Sequence, residues 1–188
     1  IKINKAILFF DDEKQLNFFN LKGETFAVPF VFEFMSENNS TKNKRINFAA
    51  KTLNLKISNN SLIKKNNLIN GKNIISFLNS SITTKYDNKN KLIIFESENS
   101  KFKNSKFNYS GELSINPFDL KLDVDLGNYK MFKINSILTE FVKSGLLFNE
   151  NISVDISINA KSTLKSDVFH NTKINLNIVN GEINFDNT

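Results

Sequence analysis

Residues 118–126 read Phe118-Asp119-Leu120-Lys121-Leu122-Asp123-Val124-Asp125-Leu126, an apolar side chain at every second position with a charged one between each. Side chains of a β-strand point alternately to its two faces, so this stretch specifies a strand with one apolar and one charged face. A helix would scatter the same residues around its axis. The pattern recurs on either side. Phe30, Phe32 and Phe34 alternate, as do Ile46, Phe48 and Ala50, then Leu53, Leu55 and Ile57. Further on come Ile152, Val154, Ile156 and Ile158, then Ile174, Leu176 and Ile178, and finally Ile183 and Phe185.

Turn-forming residues separate these runs: Asn59-Asn60, Asn70-Gly71, Asp87-Asn88, Gly127-Asn128, Asn149-Glu150-Asn151 and Asn180-Gly181. Asn-Gly favours the positive φ angles of two-residue hairpin turns, so 174–178 and 183–185 are expected to form a hairpin. One segment departs from the period of two. Ile134, Ile137, Leu138, Phe141 and Val142 fall on a helical stripe, with Asn135 or Ser136 to cap its start and Gly145 its end. A short amphipathic helix near 135–144 is expected to pack over an edge or mouth of the sheet.

The chain also repeats itself. Phe19-Asn20-Leu21-Lys22-Gly23-Glu24 with Pro29-Phe30 matches Phe107-Asn108-Tyr109-Ser110-Gly111-Glu112 with Pro117-Phe118, at a constant offset of 117 − 29 = 88 residues. Ile7-Leu8-Phe9-Phe10-Asp11 resembles Ile93-Ile94-Phe95-Glu96 upstream. The unit, about 6–34 and 93–126, reads as strand, turn, strand, Gly-Glu turn, then a strand opened by Pro-Phe. Repeats of this kind extend a sheet unit by unit.

Composition bounds the function. With 40% hydrophobic and 23% charged residues, 188 residues suit one sizeable β region. No apolar run is long enough to span a bilayer as a helix. The chain opens at Ile1 without a signal segment, and is read as a piece of a longer protein whose anchoring segments lie elsewhere. The net charge of +6 is carried by scattered lysines with Arg45 the single arginine, a poor match for phosphate or base recognition, so no nucleic-acid partner is expected. The absence of Cys excludes disulfides and thiolate chemistry.

No catalytic constellation emerges. His170 is the only histidine, and Asp167 alone stands near it, which is too little for a metal site. Asp119, Asp123 and Asp125 share a strand face but lack the ligand pattern of a calcium loop. Asp11-Asp12-Glu13 reads as an exposed turn, and no Gly-x-Ser-x-Gly elbow or Gly-rich phosphate loop is present. Neither an enzyme nor a cofactor is expected.

What remains is the apolar faces, rich in Phe and lacking Trp. They could close on one another as a core, or stay open as a trough for acyl chains. Gly111-Glu112, Pro117-Phe118-Asp119-Leu120 with its alternating continuation, the helix at 136–144 and Gly145-Leu146-Leu147-Phe148 form one series. With 152–158, Phe169-His170-Asn171-Thr172 and Asn180-Gly181-Glu182-Ile183, this series resembles the AsmA-like family of bacterial envelope proteins. That family belongs to the repeating β-groove, bridge-like lipid transporters. The resemblance covers most of 105–188 and, more loosely, the first repeat.

It implies a mainly β protein with an elongated, curved antiparallel sheet forming a groove. It further implies a periplasmic location, an inner-membrane anchor outside this chain, and phospholipid acyl chains as partners in outer-membrane lipid homeostasis. The lipid-facing candidates are Phe30, Phe32, Phe34, Phe118, Leu120, Leu122, Val124, Val154, Ile156 and Leu176. The competing expectations are a structural or adhesive β-repeat with a closed core, and a glycan-active β-domain built around Tyr86, Tyr109 and Tyr129.

Overall fold

The computed structural model describes residues 1–38, 42–64, 68–103, 105–127, 139, 143, 149–162 and 170–184. The alternating runs form strands except at Leu53, which falls in a 3-10 turn ahead of the strand at 55–63, and the chain is mainly β with antiparallel pairing in all but one of the pairs set out below. The residues divide into two compact units, 1–90 with 100–104, and 91–99 with 105–188.

Unit 1 is a meander. Strands β1 (Lys2–Asp11), β2 (Leu16–Thr25), β3 (Val28–Glu37), β4 (Lys42–Ala50), β5 (Leu55–Ile63), β6 (Ile69–Phe77) and β7 (Ser80–Lys89) pair antiparallel in sequence order. A 3-10 turn at Lys51–Leu53 links β4 to β5. The short β9 (Lys101–Phe102) adds to β7 through Ser81 and Lys101. Within the unit each strand packs on its sheet neighbours, and the 3-10 turn on β3 and β5, so the described residues of unit 1 form one layer.

Unit 2 begins with β8 (Leu92–Ser97), followed by β10 (Ser105–Ile115), β11 (Phe118–Leu126), β12 (Ile152–Lys161), β13 (Asn171–Val179) and β14 (Glu182–Ile183). β8, β10 and β11 pair antiparallel, as do β12, β13 and β14. β11 and β12 run parallel, which the antiparallel expectation did not include. Parallel neighbours need a long crossover connection, and 127–151 supplies it. The helix expected near 135–144 lies outside the described residues, save Thr139 and Lys143, which are helical and exposed. Val154, Ile156, Leu176 and Ile178 form a buried cluster, with Phe118, Leu120, Leu122, Ile152, Ile158 and Ile183 packed against it.

Asn180-Gly181 makes the expected hairpin turn between β13 and β14, with φ of 51° and 76°. Phe185 lies outside the described residues. Other expected turns are strand interiors. Asn59-Asn60 sits within β5 and Asn70-Gly71 within β6. The Gly-Glu pairs of the repeat are also mid-strand, in β2 and β10. The true turns are Phe26-Ala27 and Asn116-Pro117, so Pro117 is a turn residue whereas Pro29 is the second residue of β3.

Each of these strand glycines has an aromatic residue directly opposite: Gly23 faces Phe30, Gly71 faces Tyr86, and Gly111 faces Phe95. A Cβ on Gly23 would stand 2.9 Å from Cζ of Phe30 and 2.8 Å from the Lys2 carbonyl oxygen. The missing side chain is what lets the ring lie flat across the pair. The two repeat copies thus share strand order and this device, but Gly23 is covered from the following strand and Gly111 from the preceding one.

Gly111→Ala should therefore destabilise the protein by about 1–3 kcal/mol, because the new methyl meets the Lys121 carbonyl oxygen and the Phe95 ring. Gly127→Ala, whose Cβ would find only the Lys106 carbonyl oxygen at 3.9 Å, should be nearly neutral. Urea unfolding of the two variants beside the wild type checks the contrast.

Candidate functional site

Strand register decides which side chains share a face, and in unit 1 it assembles one apolar row across seven strands. Ala6 pairs with Leu21, Leu21 with Phe32, Phe32 with Phe48, Phe48 with Ile57, Ile57 with Ile75, and Ile75 with Ile82. Every one of these except the exposed Ala6 is half-buried, and none is buried. Phe30 and Phe48 stack at 5.7 Å between ring centroids, and Phe19 meets Phe32 at 6.1 Å, tilted. Such ring pairs contribute about 0.5–1.5 kcal/mol each beyond the area they cover, which helps a face that has no second layer within its unit.

The same face changes character from one end of its strands to the other. The next row runs Leu8, Phe19, Phe34 and Ile46, then turns polar at Asn59, Asn73 and Thr84. The row after that is Phe10, Asn17, Ser36, Lys44, Ser61, Gly71 and Tyr86. The Tyr86 hydroxyl donates to Asn59 Oδ1 at 3.1 Å, and Ser36 and Ser61 are buried. One surface therefore offers an apolar half and a hydrogen-bonding half.

The opposite face of unit 1 is mixed over β2 to β5: Phe18 pairs with Met35 and Val31 with Ala49, and a bonded polar row lies between them. Asn20 Nδ2 donates to Glu33 Oε1 at 3.1 Å, the Ser58 hydroxyl to Asn47 Oδ1 at 2.8 Å, and Arg45 Nε to Asn60 Oδ1 at 3.1 Å. These cross-strand bonds satisfy groups that would otherwise compete for water, and hold the register that keeps the apolar row in line.

The ten candidates separate by unit. Phe30, Phe32 and Phe34 lie together on the apolar face of β3, all half-buried. Phe118, Leu120, Leu122 and Val124 share the apolar face of β11 and are half-buried. Val154, Ile156 and Leu176 are buried in the unit 2 cluster, 2%, 7% and 9% exposed, so protein packing occupies their surface. Leu21, Phe48, Ile57, Ile75 and Ile82 complete the row in unit 1 and were not among the candidates. In Ile74-Ile75 the doubled isoleucine hides the strand phase, and only pairing resolves it.

The groups considered for chemistry stay apart. Asp119, Asp123 and Asp125 are exposed on the charged face of β11. Asp11 accepts a bond from the Lys14 amide at 3.0 Å, as a turn carboxylate does. His170 is exposed, its carbonyl oxygen accepting from the Ser162 amide, and Asp167 lies outside the described residues. An open depression of about 420 Å³ in unit 2 is lined by Asp125, Lys161, Lys173 and neighbours. Among the described residues no group of three His, Cys, Asp or Glu could hold a metal ion, and no helix is long and apolar enough to cross a membrane. Comparison with family models, curated proteins and solved structures returns no match.

The contrast between the faces has a measurable counterpart. Ile178→Ala in the buried cluster should cost about 2–5 kcal/mol, whereas Ile57→Ala on the half-exposed row should cost about 1 kcal/mol, since much of its surface already meets water. Equilibrium unfolding in urea reads both.

Proposed function

We propose that the chain is a non-enzymatic lipid-binding protein that lays acyl chains across the apolar half of the unit 1 face. The observation that carries this reading is the register-aligned row from Leu21 to Ile82, apolar on six consecutive strands and still part-exposed. A monomer rarely leaves an apolar surface of that extent without a ligand or partner for it. Each methylene withdrawn from water onto the row contributes up to about 0.8 kcal/mol. The polar half, with Lys44, Asn73 and Tyr86, gives a headgroup its hydrogen bonds while the chains lie on the other half.

This reading agrees with the AsmA-like resemblance, and with it go a periplasmic location, inner-membrane association through other segments, and a part in outer-membrane lipid homeostasis. The transfer would be passive: binding and release along a surface, with no bond made or broken. A structural or adhesive module with no ligand is the second reading. The buried cluster of unit 2 is the observation in its favour.

Lipid extraction and mass spectrometry of the purified protein should find phospholipid, and a fluorescent fatty acid should bind in solution. Phe32→Asp with Phe48→Asp should lower that binding at least about tenfold, since each places a charge on the acyl surface, while circular dichroism keeps its β signal. Asn47→Asp, on the opposite face, should leave it unchanged. Absence of both co-purifying lipid and fatty-acid binding in the wild type would overturn the proposal.

A further inference from the structure

In a meander the connections alternate between the two ends of the sheet, so the β2–β3 turn, the 3-10 turn between β4 and β5, and the β6–β7 turn share one end of unit 1. The register agrees, with Ala50 beside Leu55, Leu55 beside Phe77, and Phe77 beside Ser80. β9 ends there as well, the Lys103 amide donating to the Ser80 hydroxyl at 3.0 Å. The Leu78 amide donates to the Asn54 carbonyl at 3.3 Å, tying two of the turns together.

This end is apolar where turns are ordinarily polar. Phe26 is 99% exposed, Leu78 64%, Phe77 45%, Phe102 44% and Leu53 43%. Phe26 and Leu78 also hold positive φ, 49° and 51°, a conformation in which Gly or Asn is the low-cost residue. Two bulky apolar side chains are thus presented to solvent at backbone positions that disfavour them. Strain kept at an exposed position points to use. Around them stand the exposed Lys2, Lys51, Lys101 and Lys103, with Glu24 the one acid placed among these strand ends. At the other end the 11–15 turn carries Asp11, Asp12 and Glu13 beside Lys14, and Lys42, Lys64 and Lys89 are exposed at strand ends there, so what sets this rim apart is its bulky apolar turn residues, Phe26 and Leu78.

We propose that this rim inserts into the surface of an anionic lipid bilayer, Phe26, Leu78 and Phe102 entering the headgroup–acyl boundary and the lysines meeting lipid phosphates. Apolar tips ringed by lysine match a bilayer that is apolar below and negative above. The row of apolar residues on the sheet face lies nearer this rim than the polar row does, so a chain leaving the bilayer would meet the apolar half first. That last step rests on the lipid-binding reading; the docking does not.

The test uses the whole chain and vesicles of phosphatidylcholine with phosphatidylglycerol, in flotation. Phe26→Gly with Leu78→Gly is the decisive variant, because glycine adopts positive φ without penalty and the fold is kept or stabilised. It leaves the net charge at +6, so attraction by scattered lysines is unchanged. The wild type should float, and the double variant should bind at least about tenfold more weakly, as apolar insertion is lost. Equal flotation of the two overturns the proposal, as does a wild type that stays in solution. A wild type that self-associates through these residues without floating overturns it in favour of a second copy as occupant. Fatty-acid binding without flotation removes the rim and leaves the face; flotation without fatty-acid binding does the reverse.

Discussion

A strand that slips by one residue against its neighbour carries every side chain to the wrong face, and unit 1 stacks seven strands under that rule. Among the described residues the unit has no second layer to correct a slip, so lateral pairing holds the alignment. Stacked Phe30 and Phe48, the bond from Ser58 to Asn47 and the ring of Tyr86 laid over Gly71 are all devices of that kind. The amphipathic face, and whatever it binds, exists only because those pairs are in phase. Asn and Ser on the polar side matter here for the same reason: they fix register without adding bulk.

The two units show one sequence pattern put to two uses. Alternation in β12 and β13 ends in a dry cluster, with Val154 and Ile178 at 2% and 1% exposure. Alternation in β3 to β6 ends in half-exposed rows. Burial of apolar side chains is the dominant favourable term in folding, so β12 and β13 draw on it fully where the strands of unit 1 draw on it only in part. The polar row of Asn17, Ser36, Lys44 and Ser61 marks the difference in composition, since a face destined for complete burial would not carry it.

That comparison also marks how far the sequence could be read. The strands were legible from their period of two, and the last hairpin from Asn180-Gly181, because both signals are local. The Gly-Glu pairs misled as turns because glycine has two uses, and only the aromatic partner on another strand tells which applies. The turn at Phe26-Ala27 carried no turn residue at all. The parallel pairing of β11 with β12 depends on a connection of over twenty residues, and nothing in either strand declares it. For the candidate site, alternation picked out Phe30, Phe32 and Phe34 correctly as sharing a face. It could not separate them from Val154, Ile156 and Leu176, because a strand's pattern says which side is apolar and not what lies against it.

Ser100 gives the chain path a consequence for how the protein can be divided. Its hydroxyl accepts from the Thr83 amide at 3.0 Å and donates to the Thr83 carbonyl at 3.2 Å, and its own surface is 1% exposed. One side chain thereby does for Thr83 what a neighbouring strand would do. The residues that bring it there, 100–104, are interposed between two stretches of the other unit. No single cut separates the units: a fragment ending at residue 90 would leave the Thr83 amide and carbonyl open on a bare edge, ready to template another strand. A fragment meant to hold unit 1 must therefore run through residue 104.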